Sequence, residues 1–110
     1  MNIMTSFIDI IEELANSAFN LLEETNLAFK CNHISEEEYT GYTNLYDELH
    51  NLISEFNIGE TSPNAFLRNL YDLAKMYEHL GDSIYTNSMY DLLADTYIEL
   101  VTINLHRKVE

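Results

Sequence analysis

The sequence predicts an all-α fold, a four-helix bundle, and three observations carry that reading. Apolar residues recur at three- and four-residue spacing through four long stretches, the period of a helix with one buried side. Three Gly and one Pro among 110 residues leave few turn formers for a β fold. The turn formers present gather where the periodic stretches stop, at Asn32, at Gly59 with Pro63, and at Gly81. Helices over 3–31, 35–57, 63–80 and 83–108, joined by short loops, give mainly antiparallel neighbours.

In 3–31, Phe7, Ile11, Leu14, Ala18, Leu21 and Leu22 run down one face, and Ile8, Ala15, Phe19 and Phe29 widen it. Asp9, Glu13, Asn16, Asn20, Glu23 and Glu24 hold the other side. Thr5 or Ser6 is the expected N-cap. Behind Lys30, Asn32 can take the left-handed conformation that ends a helix.

Helix 35–57 opens with Ser35-Glu36-Glu37-Glu38, a capping box in which Ser35 and Glu38 satisfy each other's backbone donors. That box accounts structurally for the densest acidic run of the chain. Tyr39, Tyr42, Leu45, Tyr46, Leu49, Leu52, Ile53 and Phe56 form the apolar face. Gly41 costs a helix about 1 kcal/mol relative to Ala, so it marks close packing or a kink.

Residues 57–61, with Gly59, form the longest internal loop. Ser62 then caps helix 63–80 and Pro63 takes its first position. Phe66, Leu70, Leu73, Ala74, Tyr77 and Leu80 face inward, while Arg68, Asp72 and Lys75 make an outer surface of mixed sign. Gly81 is the expected stop, and Asp82 or Ser83 caps the last helix.

Helix 83–108 is apolar around more than one side. Tyr85, Met89, Leu92, Leu93, Leu100 and Ile103 make one stripe; Tyr90, Leu93, Tyr97 and Val101 make a second beside it. Such a helix must bury its surface, so the other three are expected to clasp it as the structural centre. Its polar ribbon has Asp91, Asp95 and Glu99 as a spine at i, i+4 and i+8. Like charges so placed cost roughly 0.2–0.5 kcal/mol per pair. His106, Arg107 and Lys108 favour the negative end of the helix dipole.

A chain of 110 residues fits one domain, 1–110, and 46% hydrophobic residues can fill its core. A lone cysteine, Cys31, excludes an internal disulfide framework and suits a reducing compartment. No apolar run approaches the roughly 18–20 residues of a membrane span. The N-terminus has no basic n-region, and Asp9 interrupts its apolar run, so a cytoplasmic protein is expected. Nineteen Asp and Glu against five Lys and Arg give a net charge of −14. That field repels nucleic acid and anionic lipid, and it attracts basic protein surfaces.

The chain carries no constellation for catalysis. Its glycines at 41, 59 and 81 are isolated, so no phosphate-cradling loop forms. Cys31 and His33 share a helix end that, in a negative field, disfavours the thiolate. A carboxylate-bridged metal bundle needs Glu-x-x-His on two helices; here only Asp47-x-x-His50 has that spacing, and Glu78 and His79 are adjacent. No EF-hand spacing is present either. The expectation is a protein that is not an enzyme and needs no cofactor or metal.

Residues 70–93 resemble a single tetratricopeptide-type helical hairpin. Leu70, Leu73, Ala74, Tyr77, Gly81, Asp82 and Tyr90 fall in that family's pattern of large, small, aromatic and turn positions. Leu70 stands where the family often has Trp, Thr86 and Leu93 replace small residues, and no closing Pro follows. The preceding residues do not repeat the pattern, so the resemblance implies a tight αα-hairpin rather than a peptide-binding array.

The remaining constellation is acidic: Asp9, Glu12, Glu13, Glu23 and Glu24 on helix 1, Asp47, Glu48 and Glu55 on helix 2, and Asp91, Asp95 and Glu99 on helix 4. Carboxylates one turn apart lie about 6 Å apart, close to the roughly 6–7 Å between phosphates along a DNA strand. Small, helical, strongly acidic and without an active site, the chain resembles in general type the phage anti-restriction and anti-CRISPR DNA mimics. That resemblance implies a phage or mobile-element inhibitor acting in a host cytoplasm. Its partner would be a nuclease or effector with a basic nucleic-acid-binding groove. Eight Tyr exceed what a small core easily satisfies, and Tyr71 is the best rim candidate, between the core stripe and Arg68–Lys75. The expected contact set is Asp9, Glu13, Glu23, Glu24, Asp47, Glu48, Glu55, Tyr71, Asp91, Asp95 and Glu99. A second reading is an oligomeric adaptor bundle pairing through helix 4, and a third is a small metal-binding bundle.

Overall fold

A computed structural model of the chain describes residues 3–109, with side chains from 6 to 105. Four helices follow in order: α1 (Ile3–Lys30), α2 (Glu36–Asn57), α3 (Pro63–Glu78) and α4 (Ile84–Val109). Packing joins α1 to α2 and α4, and α3 to α2 and α4, so the helices close a four-cornered ring. α2 and α4 stand at opposite corners. Phe7 meets Phe56 at one end and Phe29 stacks on Tyr39 at the other, so α1 and α2 are antiparallel. Tyr42–Tyr77 and Phe56–Phe66 give α2 and α3 the same relation. The molecule measures 50 × 22 × 21 Å, an elongated bundle whose faces are long grooves between helix pairs.

The core takes one stripe from each helix. Phe7, Ile11, Leu14 and Ala18 meet Tyr42, Leu49, Leu52 and Ile53, then Phe66, Leu70 and Tyr77, then Met89, Leu93 and Leu100. Each large apolar side chain so buried contributes about 1.5–3 kcal/mol. Phe7, Phe56 and Phe66 form an aromatic layer at one end, with ring centroids 5.3–6.4 Å apart. At the other end the buried Tyr77 hydroxyl donates to the Tyr42 carbonyl oxygen at 2.9 Å.

Local sequence signals place four helix ends. The Ser35 and Ser62 hydroxyl oxygens accept from the Glu38 and Ala65 N–H groups at 3.1 and 3.2 Å. Asn32 takes φ 60°, where its short polar side chain tolerates the left-handed region. Ser83 caps α4, accepting from the Thr86 N–H at 3.2 Å.

Other expectations are corrected. α1 runs from Ile3, so Thr5 and Ser6 lie inside the helix and neither caps it. α3 ends at Glu78 with His79 as its C-cap, before Gly81 is reached. The capping box of α2 is half made, because the Glu38 carboxylate turns away to α4. There it accepts from the Ser83 hydroxyl and, at 2.7 Å, from the buried Thr86 hydroxyl. A side chain on Gly81 would strike that carboxylate, and one on Gly41 would strike the Leu80 methyl. Gly41 therefore serves close packing of α2 on the end of α3.

α4 is a corner helix, not a clasped centre. A four-cornered ring leaves each helix an outer arc, and on α4 that arc exposes Ile84, Ile98 and Leu105 beside the acidic ribbon. Ile8 and Phe19, placed by periodicity on the apolar face of α1, are likewise about half exposed. The α3–α4 pair forms a helical hairpin; its tetratricopeptide likeness rests on the residue pattern alone. His106, Arg107 and Lys108 continue α4, with side chains outside those described. Among the described residues no helix is long and apolar enough to cross a membrane.

Candidate protein-interaction surfaces

Each groove between neighbouring helices has its own chemistry, set by which flank of each helix turns toward the partner. At 3.6 residues per turn, residues beside the core stripe face one neighbour or the other, and residues opposite it face solvent.

The α1/α4 face is acidic. Leu27, Ala28 and Glu24 share a recess with Tyr85, which fixes the level of α4 against α1. From that contact, each step back along α1 matches a step forward along α4, which brings Glu13 level with Glu99. Asp9, Glu13 and Glu24 lie on the α4-side flank of α1, and Glu99 and Asp95 lie on the α1-side of α4's outer arc; all are exposed. Asp9 and Glu13 thus lie one turn apart on α1, as Asp95 and Glu99 do on α4, and Glu24 stands about three turns further along α1.

The α2/α3 face is a second acidic groove. Glu48, Glu55 and Asp72 line a recess of about 310 Å³ with Asn51 and Asn69, over a floor of Leu52, Leu73 and Met76. It lies on the opposite side of the bundle from the α1/α4 face. Asp72 was the acid missed in sequence, grouped there with Arg68 and Lys75. A helical projection separates them, since Asp72 falls on the α2-side flank of α3 and the two cations on the α4 side.

Of the expected contact residues, the structure brings Asp9, Glu13, Glu24, Asp95 and Glu99 to one face, and Glu48 and Glu55 to the opposite face. Glu23 and Asp47 point outward from α1 and α2, and Asp91 lies on the α3-side of α4's outer arc. They are exposed but belong to neither groove.

The α1/α2 face is more apolar. Small Ala15 and Ala18 leave a recess of about 310 Å³ beside Phe19, Tyr46, Leu49, His50 and Ile53. His50 sits at its rim; among the described residues no group of three His, Cys, Asp or Glu is arranged to hold a metal ion. Cys31 is exposed and free.

Tyr71 belongs to the α3/α4 face. Its ring lies 5.5 Å from that of Tyr97, and the Lys75 ammonium sits 5.5 Å above it. Lys75 also pairs with Glu78 at 3.4 Å. Hydrogen bonding to Tyr90 and then to Lys75 holds the Glu78 carboxyl below its usual range, and hydrogen bonding to that carboxylate in turn pushes Tyr90 and Lys75 upward. Asn64, Leu67, Arg68 and Val101 complete the groove.

Comparison with known protein families, curated proteins and solved structures finds no match to this chain.

Proposed function

We propose that this protein is a non-enzymatic inhibitor of the anti-restriction or anti-CRISPR type, which occludes the basic nucleic-acid-binding groove of a nuclease or other effector. The observation that carries this reading is the α1/α4 face. Two rows of exposed carboxylates face outward together, Asp9 and Glu13 a helical turn apart on α1 and Asp95 and Glu99 a turn apart on α4, with Glu13 level with Glu99. Adjacent like charges oppose folding, so a rigid face that keeps them is understandable if a cationic partner neutralises them. A net charge of −14 supplies long-range attraction that raises the on-rate. Once docked, carboxylate–Arg pairs screened from water hold the complex. Short Lys- and Arg-lined grooves suit the face, because its charge spacing is near that of phosphates on a strand.

The test is capture of binding proteins from cells, followed by measurement of the captured partner against a variant carrying Asp91→Lys, Asp95→Lys and Glu99→Lys. Retained fold with sharply weakened binding supports the reading. Unchanged affinity removes the α4 ribbon from the mechanism.

A further inference from the structure

We infer that the α3/α4 face is the contact surface for a second copy of this chain, forming a two-fold dimer centred on Tyr71 and Tyr97. This surface is distinct from the acidic α1/α4 face proposed above for a heterologous partner. A two-fold contact must be self-complementary, with residue i meeting j and j meeting i. The two acidic faces fail that condition, because each would oppose carboxylates to carboxylates in a chain of charge −14. The α3/α4 face meets it. Arg68 and Lys75 lie along the α4-side of α3, and Asp91 lies on the α3-side of α4's outer arc.

The internal register makes the match specific. Asn104 donates to Asn64 at 2.9 Å near one end of the helix pair, and the Tyr97 ring meets Tyr71 midway along it. Both pairs fit one antiparallel register, which puts Tyr71 level with Tyr97 and Lys75 level with Leu93. A two-fold axis parallel to the helices lays α3 of one copy across α4 of the other at unchanged level. Tyr71 and Tyr97 of each copy then meet at the axis as a four-ring cluster, the kind of rigid aromatic centre that anchors interfaces. Lys75, level with Leu93, then lies within a turn of Asp91 of the other copy.

Apolar surface surrounds that centre. Tyr71 is 46% exposed, Ile98 63% and Leu105 56%, and Tyr97 and Val101 are half-buried. These residues form one patch rather than scattered single side chains, the usual mark of a contact site. A bundle side with extents of 50 and 21 Å has room for the roughly 800 Å² per partner of a stable interface.

The experiment is sedimentation equilibrium of the full chain over a wide concentration range, with circular dichroism to verify folding. The expected result is a species of twice the 12.8 kDa chain mass. Tyr71→Lys and Ile98→Asp, both at exposed positions, each weaken dimerisation at least tenfold with the helical signal retained. Lys75→Glu weakens the dimer, and Asp91→Lys added to it restores association, a rescue that misfolding would not give. A monomer at the highest concentration overturns the inference. So does a dimer indifferent to Tyr71→Lys and Ile98→Asp, or captured hetero-partner contact at Tyr71 with no self-association.

Discussion

The Glu38 carboxylate accepts a hydrogen bond from the buried Thr86 hydroxyl at 2.7 Å, across 48 residues of sequence. The start of α2 is thereby tied to the start of α4, helices at opposite corners of the ring. Ser83, the N-cap of α4, donates to the same carboxylate oxygen. A negative charge also sits favourably at the positive end of the α4 dipole.

Glu38→Ala is therefore expected to destabilise the fold by about 1–3 kcal/mol, since it removes a charged acceptor from two hydroxyls, one of them buried. Urea denaturation checks it. In the Glu38→Ala background, Thr86→Val should cost less than it does alone, because the two residues share one interaction.

The two helix-contact glycines should respond differently to alanine. At Gly81 the new methyl meets a Glu38 carboxylate pinned by two hydroxyls, so Gly81→Ala is expected to lower stability. At Gly41 it meets only a methyl at the flexible end of Leu80, and about 1 kcal/mol of helix propensity offsets the crowding. Gly41→Ala should be close to neutral in the same urea experiment.

Tyr42 and Tyr77 are fully buried and in edge contact, but only one hydroxyl has a partner. Tyr77→Phe loses its bond to the Tyr42 carbonyl and should cost about 0.5–1.5 kcal/mol. The Tyr42 hydroxyl has no hydrogen-bond partner among the described residues, so Tyr42→Phe should be neutral or stabilising. Thermal unfolding of the two variants distinguishes them.

Burial pushes the Tyr42 phenol from 10.0 up to about 12, and burial pushes Tyr77 upward too. The folded state then holds protons that the unfolded chain gives up above pH 10, so stability falls as pH rises. Both protonated phenols contribute fully below pH 10, and the Tyr42 share is lost through about pH 12. Alkaline unfolding curves should show this loss, and Tyr42→Phe should remove the Tyr42 part of it.

Much of the fold was legible because its signals are local. Ser62-Pro63, the Ser35 run and Asn32 each act within one helical turn, and they set helix ends within a residue or two. The Glu38–Thr86 tie was not legible, since the same Ser-x-x-Glu spacing also satisfies a local box. Periodicity found the apolar arcs but not how much of each a neighbour covers, which is why Phe19 and Ile98 emerge exposed. The acidic residues were legible as a set. Their division between two opposite faces depends on the ring order of the helices, which no single helix encodes.

If the α1/α4 carboxylates are retained for binding, relieving their repulsion should strengthen the fold. Asp95→Lys places a cation one turn from both Asp91 and Glu99, worth roughly 0.2–0.5 kcal/mol per pair. Its melting temperature should rise while partner binding weakens, the trade-off expected where charge serves function. A melting temperature unchanged or lowered would contradict the crowding of charge on that face.

Competition on the captured partner tests occlusion of its nucleic-acid groove most directly. Labelled DNA bound to that partner is titrated with this protein while fluorescence anisotropy reports the bound fraction. Full displacement that weakens steeply with salt is expected, and its loss when Glu13, Asp95 and Glu99 are changed to Lys. DNA that stays bound while this protein also binds, or equal displacement by the reversed variant, would contradict occlusion by that face.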